Sequence, residues 1–248
     1  MPTLDQKDKI SEKFLNSDLI AELQISRIEM EDVFEGEIES ISFISADLSV
    51  YKKYRTYNRY TRMFEVYESL YLSGTYYYFD IPTIGQGVNI VLVPKIPFAV
   101  FIFLMLYLLF LVLVGIKIIL VLFGISIDEI ALTLILVFII ALLIVYYFKG
   151  SKTKSIKFNS YFVLKTNDEI KAKKILTPAV IQSIIDLREK EGEIMIAIKE
   201  GELHIVIKNK DRFYNTSAND LTKMKENIAQ QVRQEIDLIK RLLKSIKS

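Results

Sequence analysis

FAVFIFLMLYLLFLVLVGIKIILVLF (residues 98–123) and IALTLILVFIIALLIVYYF (residues 130–148) are the two longest apolar stretches of the chain. The hydrocarbon core of a bilayer is about 30 Å thick, and a helix of about 20 apolar residues crosses it. The two stretches therefore predict two transmembrane helices, joined by the short polar segment 124–129. A buried hairpin of a soluble protein is disfavoured, because helices of this length would then show a polar face.

The charged residues beside these stretches predict how the chain is oriented. The segment between them carries only acidic charges, on Asp128 and Glu129. Lysines lie on the outer side of both stretches, at Lys95, Lys149, Lys152, Lys154 and Lys157. Because lysine and arginine accumulate on the cytoplasmic side of a membrane, we expect a multi-pass protein of a bacterial inner membrane with both termini in the cytoplasm.

The composition excludes several classes of enzyme and of metal site. The 248 residues include no Cys and one His, 25% of them are charged, and the net charge is +2. Without Cys there is no disulfide framework, thiolate metal site or Cys nucleophile, and one His supplies no multi-histidine site. The mean hydropathy of +0.28 is high for a soluble protein. We expect no enzyme activity, no cofactor, no metal and no catalytic residue.

The apolar stretches divide the rest of the chain into two arms, which we expect to fold together. Neither arm alone has enough alternating apolar residues for a sizeable core, so strands from both arms should pair. The predicted fold class is an α+β cytoplasmic domain with an inserted two-helix transmembrane hairpin. The predicted segments are an amphipathic helix at 1–33, the first half of the β-rich domain at 34–96, the hairpin at 97–148, the α+β second half at 149–218 and a C-terminal amphipathic helix at 219–248.

Local patterns predict the elements of the arms. Apolar residues at alternate positions indicate strands. Helical spacing, with caps such as Asp168 or Asn167 and Thr177 before Pro178, indicates helices. Glu200-Gly201 has the spacing of a tight hairpin turn. The predicted strands are 36–50, 64–72, 76–81, 88–93, 156–164, 193–199 and 202–208, and the predicted helices of the second arm are 169–176, 178–189 and 220–247.

The order of elements in the second arm resembles a known family. The residues that carry the resemblance are Phe158-Asn159-Ser160-Tyr161-Phe162-Val163-Leu164, Thr166-Asn167-Asp168, Ala172, Ile175-Leu176-Thr177-Pro178 and the hairpin at 192–207. This order is similar to the bacterial Domain of Unknown Function 3137 family, best over 156–243 and more loosely over 34–95. The resemblance implies a membrane protein without an established activity, sometimes associated with LemA-type membrane proteins.

A run of interleaved tyrosines and cations at 51–62 is the most distinctive polar motif. It contains four tyrosines and the cations Lys52, Lys53, Arg55, Arg59 and Arg62. Such a mixture can bind lipid headgroups or an acidic protein at an anionic surface, and it can also stack on single-stranded nucleic acid. Nucleic acid is disfavoured because the chain as a whole is not basic. The alternative is a solvated loop that connects two strands and packs its tyrosines on the sheet.

Two single residues are also candidates. Lys117 lies within the first apolar stretch, where a charged residue is by default a functional candidate, but a lysine this near its end can also reach the interface as an anchor. His204 lies on a predicted strand with its side chain opposite Leu203 and Ile205. We interpret it as an exposed strand histidine rather than a general base, because catalysis needs an oriented partner.

These patterns favour a non-enzymatic, membrane-anchored interaction or scaffold module. The expected partners are membrane lipid, a LemA-type membrane protein or a second copy of the chain. The alternative is an oligomeric channel or transporter subunit gated by the cytoplasmic domain, because two crossings enclose a pore only when several copies assemble.

Overall fold

The computed structural model describes residues 4–20, 25–95, 107, 114, 153–208 and 221–247. The chain divides into two units, Met1–Pro94 with Lys165–Ser248, and Lys95–Leu164. The strands are β1 (Ile25–Ile38), β2 (Ile41–Asn58), β3 (Met63–Asp80), β4 (Asn89–Pro94), β5 (Phe162–Thr166), β6 (Ile194–Lys199) and β7 (Glu202–Lys208). The helices are α1 (Leu4–Asn16), α2 (Ile156–Tyr161), α3 (Glu169–Ile175), α4 (Pro178–Glu191) and α5 (Leu221–Lys247).

The seven strands form one sheet in the order β1-β2-β3-β7-β6-β4-β5. β3 pairs antiparallel with β7, from Gly74 opposite Lys208 to Asp80 opposite Glu202. β4 pairs antiparallel with β6 in the same way, with Ile90 opposite Ile198. The expectation that strands of the two arms pair is therefore confirmed.

Two tight turns set the register of the hairpins. Glu39 and Ser40 connect β1 to β2 with φ of 53° and 60°, and Glu200 and Gly201 connect β6 to β7 with φ of 48° and 89°. Two successive residues with positive φ match the twist of antiparallel strands, which makes such loops favourable. The hairpin predicted at 193–208 is confirmed, whereas the single strand predicted at 36–50 is divided by the first turn between β1 and β2.

Helices cover both faces of the sheet in the first unit. On one face, Ile10 and Phe14 of α1 join a buried cluster that includes Leu48, Tyr76 and Val206. On the other face, α4 packs against β6 and α5. The Tyr77 hydroxyl donates to Oε1 of Glu235 on α5 at 2.7 Å. The central strands are therefore buried on both sides, which explains why β6 and most of the interior of β7 are apolar at successive positions.

The helix predicted over 1–33 is wrong beyond Asn16. Both the backbone N–H and the side-chain hydroxyl of Ser17 donate to the Phe14 carbonyl, at 3.2 and 2.6 Å. Asp18 then takes a φ of 62°, which turns the chain away from the helix. β1 begins at Ile25, so Ile28 and Met30 follow the strand period of two rather than the helical period.

The strand predicted at 156–164 is wrong in its first half. The Ser155 hydroxyl accepts a hydrogen bond from the Phe158 backbone N–H at 3.2 Å and caps α2, and β5 starts only at Phe162. Within the second unit, the Lys95 N–H donates to the Tyr161 carbonyl at 2.8 Å, next to the end of α2. The local cap at Ser155 therefore outweighs the β-propensity of the aromatic residues here.

The predicted helices of the second arm are confirmed, together with their caps. The Asp168 carboxylate accepts from Ile170 and Lys171 N–H, both at 3.0 Å, at the start of α3. The Thr177 hydroxyl accepts from Val180 N–H at 3.3 Å, at the start of α4. α5 covers Leu221–Lys247, close to the predicted range.

The predicted fold class needs correction. The described residues form a seven-stranded antiparallel sheet with a few helices, and among them there is no inserted transmembrane hairpin of the kind that the predicted α+β fold class contained. None of the described helices is both long and apolar enough to span a membrane. α5 alone among them exceeds 20 residues, and charged residues such as Lys240 and Arg241 interrupt it, whereas a crossing needs a continuous apolar stretch. The range 97–148 lies outside the described residues, except for Tyr107 and Val114.

We expect Gly74 to be essential for the pairing of β3 with β7. A Cβ atom at this position would lie 2.0 Å from the Ile207 carbonyl oxygen of the neighbouring strand. Gly74→Ala should lower the free energy of unfolding by about 3 kcal/mol or more, measured by denaturant titration. Gly192→Ala is the matched control, because Gly192 has a φ of 89° with no atom near an added Cβ, and strain alone should lower stability by about 1–2 kcal/mol. Equal losses in the two variants would contradict the steric argument.

Candidate functional site

The strands β2 and β3 continue past their neighbours as a two-stranded ribbon. β1 accompanies β2 only to Lys52, and the pairing of β7 with β3 begins at Gly74. Among the described strand pairs, residues 53–58 and 63–68 pair only with each other. We call residues 53–68, including the turn at 59–62, the ribbon.

Hydrogen bonds fix the turn at the tip of the ribbon. The Asn58 side-chain oxygen accepts from the N–H groups of Tyr60 and Thr61, at 2.9 and 3.4 Å. The Asn58 side-chain amide donates to Glu65 Oε1 at 2.6 Å, across the strand pair. Arg62 completes the turn with a φ of 55°. An Asn that bonds to the backbone two residues on is a common way to start such a turn.

The ribbon presents large apolar side chains to solvent on both of its faces. Tyr60, at the tip, is 99% exposed and Phe64 is 71% exposed. Most of the large apolar side chains that are exposed in the described part of the chain lie on or beside the ribbon: Tyr54, Tyr57, Tyr60, Met63, Phe64, Val66, Tyr67, Leu70 and Tyr71. Contiguous apolar exposure of this kind marks interaction surfaces.

The register of β2 and β3 divides these side chains between two faces. Arg55 lies opposite Val66, and Tyr57 lies opposite Phe64. Because opposite residues of an antiparallel pair point to the same side, these four lie on one face together with the pair Lys53 and Glu68, and we call it the arginine face. The Tyr57 and Phe64 rings meet edge to face, with their centroids 5.3 Å apart.

The other face of the ribbon contains a carboxylate, and we call it the glutamate face. Tyr54 and Tyr67 stack there with ring centroids 5.9 Å apart. Glu65 accepts hydrogen bonds from the Tyr67 hydroxyl, the Asn58 amide and the Thr61 hydroxyl, and these bonds lower the pKa of its carboxyl. The residues of this face are Tyr54, Thr56, Asn58, Met63, Glu65 and Tyr67.

The five cations singled out in the sequence all lie on or beside the ribbon. Lys52 is half-buried where the ribbon begins, and the Lys53 ammonium lies 3.9 Å from the Glu68 carboxylate. Arg55, Arg59 and Arg62 are exposed and make no ion pair with another residue of the described part. The structure brings the cations together on strand residues and a four-residue turn, rather than in the long loop of the alternative interpretation.

The β3 half of the ribbon was missed as part of the candidate site. Met63, Phe64, Val66 and Tyr67 are exposed to a similar or greater fraction than Tyr54 and Tyr57 of β2. The alternation of Phe64 and Val66 was a usable signal for a strand, but nothing in the pattern showed that both sides of this strand face solvent. Lys117 lies outside the described residues.

His204 is fully buried, so the prediction of an exposed histidine is wrong. Its side chain points to the predicted side of β7, but α1 covers that side. The Tyr76 hydroxyl lies 2.7 Å from Nδ1 of His204, and Nε2 lies 3.3 Å from Glu202 Oε2 without hydrogen-bond alignment. The Lys13 ammonium of α1 donates to the same Glu202 carboxylate. The histidine is thus one member of a layer that joins α1 to the sheet.

Burial controls the protonation of this layer. Desolvation lowers the pKa of His204 to about 4, although the nearby Glu202 carboxylate acts in the opposite direction. Burial is the largest single influence on Glu202 and would raise its pKa, but the hydrogen bonds from Lys13 and Tyr78 and the nearby positive charge together outweigh burial, so the pKa of the carboxyl is lowered. At neutral pH the layer therefore holds a neutral imidazole beside a Lys–Glu ion pair.

A cavity of about 440 Å³ lies at another position in the first unit. Its walls include Leu19, Val91 and Met195, and its rim includes Asp18 and Asn89. The Asp18 carboxylate accepts from the Asn89 amide at 2.5 Å and also from Lys199, at 2.9 Å. The charge at the rim is therefore neutralised within the fold, which makes the cavity a weaker candidate than the ribbon.

We expect His204 to make stability depend on pH in a defined range. The pKa of His204 is about 4 in the folded state and near 6.5 when unfolded, so the unfolded state binds more protons between these values. The free energy of unfolding should be fully maintained above pH 6.5 and fall as the pH is lowered, by up to about 1.4 kcal/mol per pH unit.

The measurement compares denaturant titrations of the parent and of His204→Phe at pH 7 and pH 5. His204 is the chain's only histidine. In the variant, the free energy of unfolding should therefore depend much less on pH in this range, whatever its absolute value. The lowered pKa of Glu202 also makes the free energy of unfolding fall as the pH is lowered, but it does so at lower pH. Parallel slopes for parent and variant would refute the assignment.

Comparison with known proteins finds a relationship for one part of the chain. No curated protein and no solved structure matches it significantly. The resemblance inferred from residues 156–243 is confirmed, whereas residues 34–95 lie outside the matched range. Residues 146–247, less than half of the chain, match the family described as Protein of unknown function (DUF3137), so this segment is similar to that family.

Proposed function

We propose that the protein is a non-enzymatic interaction module and that the ribbon is its contact element. The observation that carries the proposal is the ribbon itself, in which exposed aromatic side chains alternate with three arginines that lack an ion-pair partner in the described part of the chain. Tyrosine and arginine are the residues that most often dominate the energy of an interface.

The energetics of the ribbon support a contact role. A two-stranded hairpin without further packing is marginally stable in water. Removing the apolar surface of Phe64, Val66 and Tyr57 from water lowers the free energy by about 25 cal/mol per Å² of buried area. Because residues 53–58 and 63–68 pair only with each other among the described strands and most of their side chains are exposed, a bound partner would supply this stabilisation.

The most enzyme-like cluster is unsuited to act on an external substrate. His204 is fully buried beneath α1, and its Nε2 atom has no access to solvent. A general base must come within hydrogen-bond reach of the proton that it removes. We therefore interpret the His204 layer as structural.

We place the proposed contact of the ribbon at the inner surface of the cell membrane, where anionic lipids are abundant.

The first test removes the ribbon and keeps the sheet. Lys52 and Ser69 lie opposite each other, so residues 53–68 can be replaced by an Asn-Gly turn. We expect the variant to unfold cooperatively, with a free energy of unfolding within about 1 kcal/mol of the parent, because the ribbon buries little surface. Loss of cooperative unfolding would show that the ribbon is part of the core and would contradict the proposal.

The second test places a photoreactive amino acid at Phe64 and, as a matched control, at Ile170 on α3. The two side chains are 71% and 73% exposed, so they differ in position rather than in accessibility. On illumination of intact cells, position 64 should form crosslinked products that position 170 does not form. The same yield and the same products at both positions would exclude a specific contact of the ribbon.

A further inference from the structure

We propose that the arginine face of the ribbon, together with the turn at 59–62, lies on an anionic lipid surface, while the glutamate face stays in water. The inference rests on the proposed function, because it names the partner of the same ribbon. It also assigns different roles to the two faces, which the sequence pattern alone does not distinguish.

Charge distinguishes the two faces. The arginine face contains the cations Lys53 and Arg55, and Arg59 and Arg62 extend the positive charge through the turn. The nearest carboxylate on this side is Glu68, which is 3.9 Å from the Lys53 ammonium at the start of the ribbon. A cation held near an anionic leaflet is attracted to it, and this attraction decays over about one Debye length from the surface. The arginine face and the turn are thus the part of the ribbon with uncompensated positive charge.

The carboxylate of Glu65 excludes the glutamate face from contact with an anionic membrane. Three side-chain donors, from Tyr67, Asn58 and Thr61, bond this carboxylate and favour its charged form. An ionised carboxylate is repelled by an anionic surface and is costly to desolvate. Its hydrogen bonds also fix Glu65 on this side of the strand pair, so it cannot turn away from an approaching membrane.

The apolar side chains of the arginine face fit the interfacial zone of a bilayer. Phe64 and Val66 are 71% and 56% exposed, and Tyr57 is half exposed beside Phe64. Tyr60 projects fully from the turn between the two arginines. Amphipathic rings such as tyrosine collect at the headgroup level, and arginine reaches outward from apolar surface to the phosphates. One face therefore combines the apolar and the cationic contacts that stable binding to lipid requires.

The absence of Trp and Cys from the chain allows a direct test. Phe64→Trp places a single tryptophan on the arginine face, and Tyr67→Trp places one on the glutamate face. The purified full chain is mixed with vesicles of phosphatidylcholine alone or of phosphatidylcholine with phosphatidylglycerol. We expect a blue shift of tryptophan emission for Phe64→Trp with the anionic vesicles only, reversed when salt rises from about 0.1 M to about 1 M. Tyr67→Trp should show no shift.

Charge variants in the Phe64→Trp background test the role of the arginines. Arg55→Gln with Arg59→Gln should weaken vesicle binding about 25-fold, or about fivefold for each arginine. Lys173→Gln with Lys174→Gln is the matched control, because these two lysines are also exposed but lie on α3. The control should bind as the parent does.

Each alternative outcome is informative. Equal shifts with neutral and anionic vesicles, or equal loss of binding in both charge variants, would overturn the electrostatic argument. Shifts for both tryptophan positions would overturn the assignment of faces. No shift with any vesicle would overturn the lipid inference, while specific crosslinks from position 64 to a protein would leave the proposed interaction module in place. Absence of both would overturn the two together.

Discussion

The pairing of β3 with β7 is the contact on which the rest of the structure depends. It joins the first arm to the second through seven residue pairs, and it places β7 and β6 in the middle of the sheet. The strands come so close at Gly74 that no side chain fits there. Once this pair has formed, both faces of the sheet are defined, and α1 covers one of them while α4 and α5 cover the other.

The ribbon is a consequence of unequal strand lengths in the same pair. β2 and β3 each contain 18 residues, whereas β7 contains seven. Strands in globular proteins usually contain about five or six residues. The part of β3 that belongs to the ribbon, residues 63–68, pairs only with β2 among the described strands, and most of its side chains are exposed. These side chains therefore contribute little to the core, and we expect their identity to be determined by contacts outside the fold.

Much of the second arm could be predicted because its signals are local. Asp168 and Thr177 cap helices that start directly after them, and Glu200-Gly201 makes a turn between adjacent strands. The end of α1 was missed because the apolar spacing continues past Asn16, whereas the bonds of Ser17 to the Phe14 carbonyl and the positive φ of Asp18 end the helix. Periodicity cannot show such a competing bond.

The environment of His204 could not be predicted, because its neighbours come from distant parts of the chain. Tyr76 belongs to β3, Glu202 to β7 and Lys13 to α1, almost 190 residues away from Glu202. Alternation correctly indicated the side of the strand but not the helix that covers it. The same limit applies to the ribbon: the cations at 52–62 were visible as a motif, but their division between two faces needed the register of β2 and β3.

The central position of β6 and β7 has a consequence for biosynthesis. β1, β2 and β3 leave the ribosome first, but the strand that pairs with the other edge of β3 follows more than 100 residues later. At about 5–20 residues per second, the nascent meander waits roughly 10 s with this edge uncovered, together with the apolar face opposite α1. Open edges and apolar faces of this kind are prone to aggregate. The first arm is therefore exposed to this risk until α4, β7 and α5 have been synthesised.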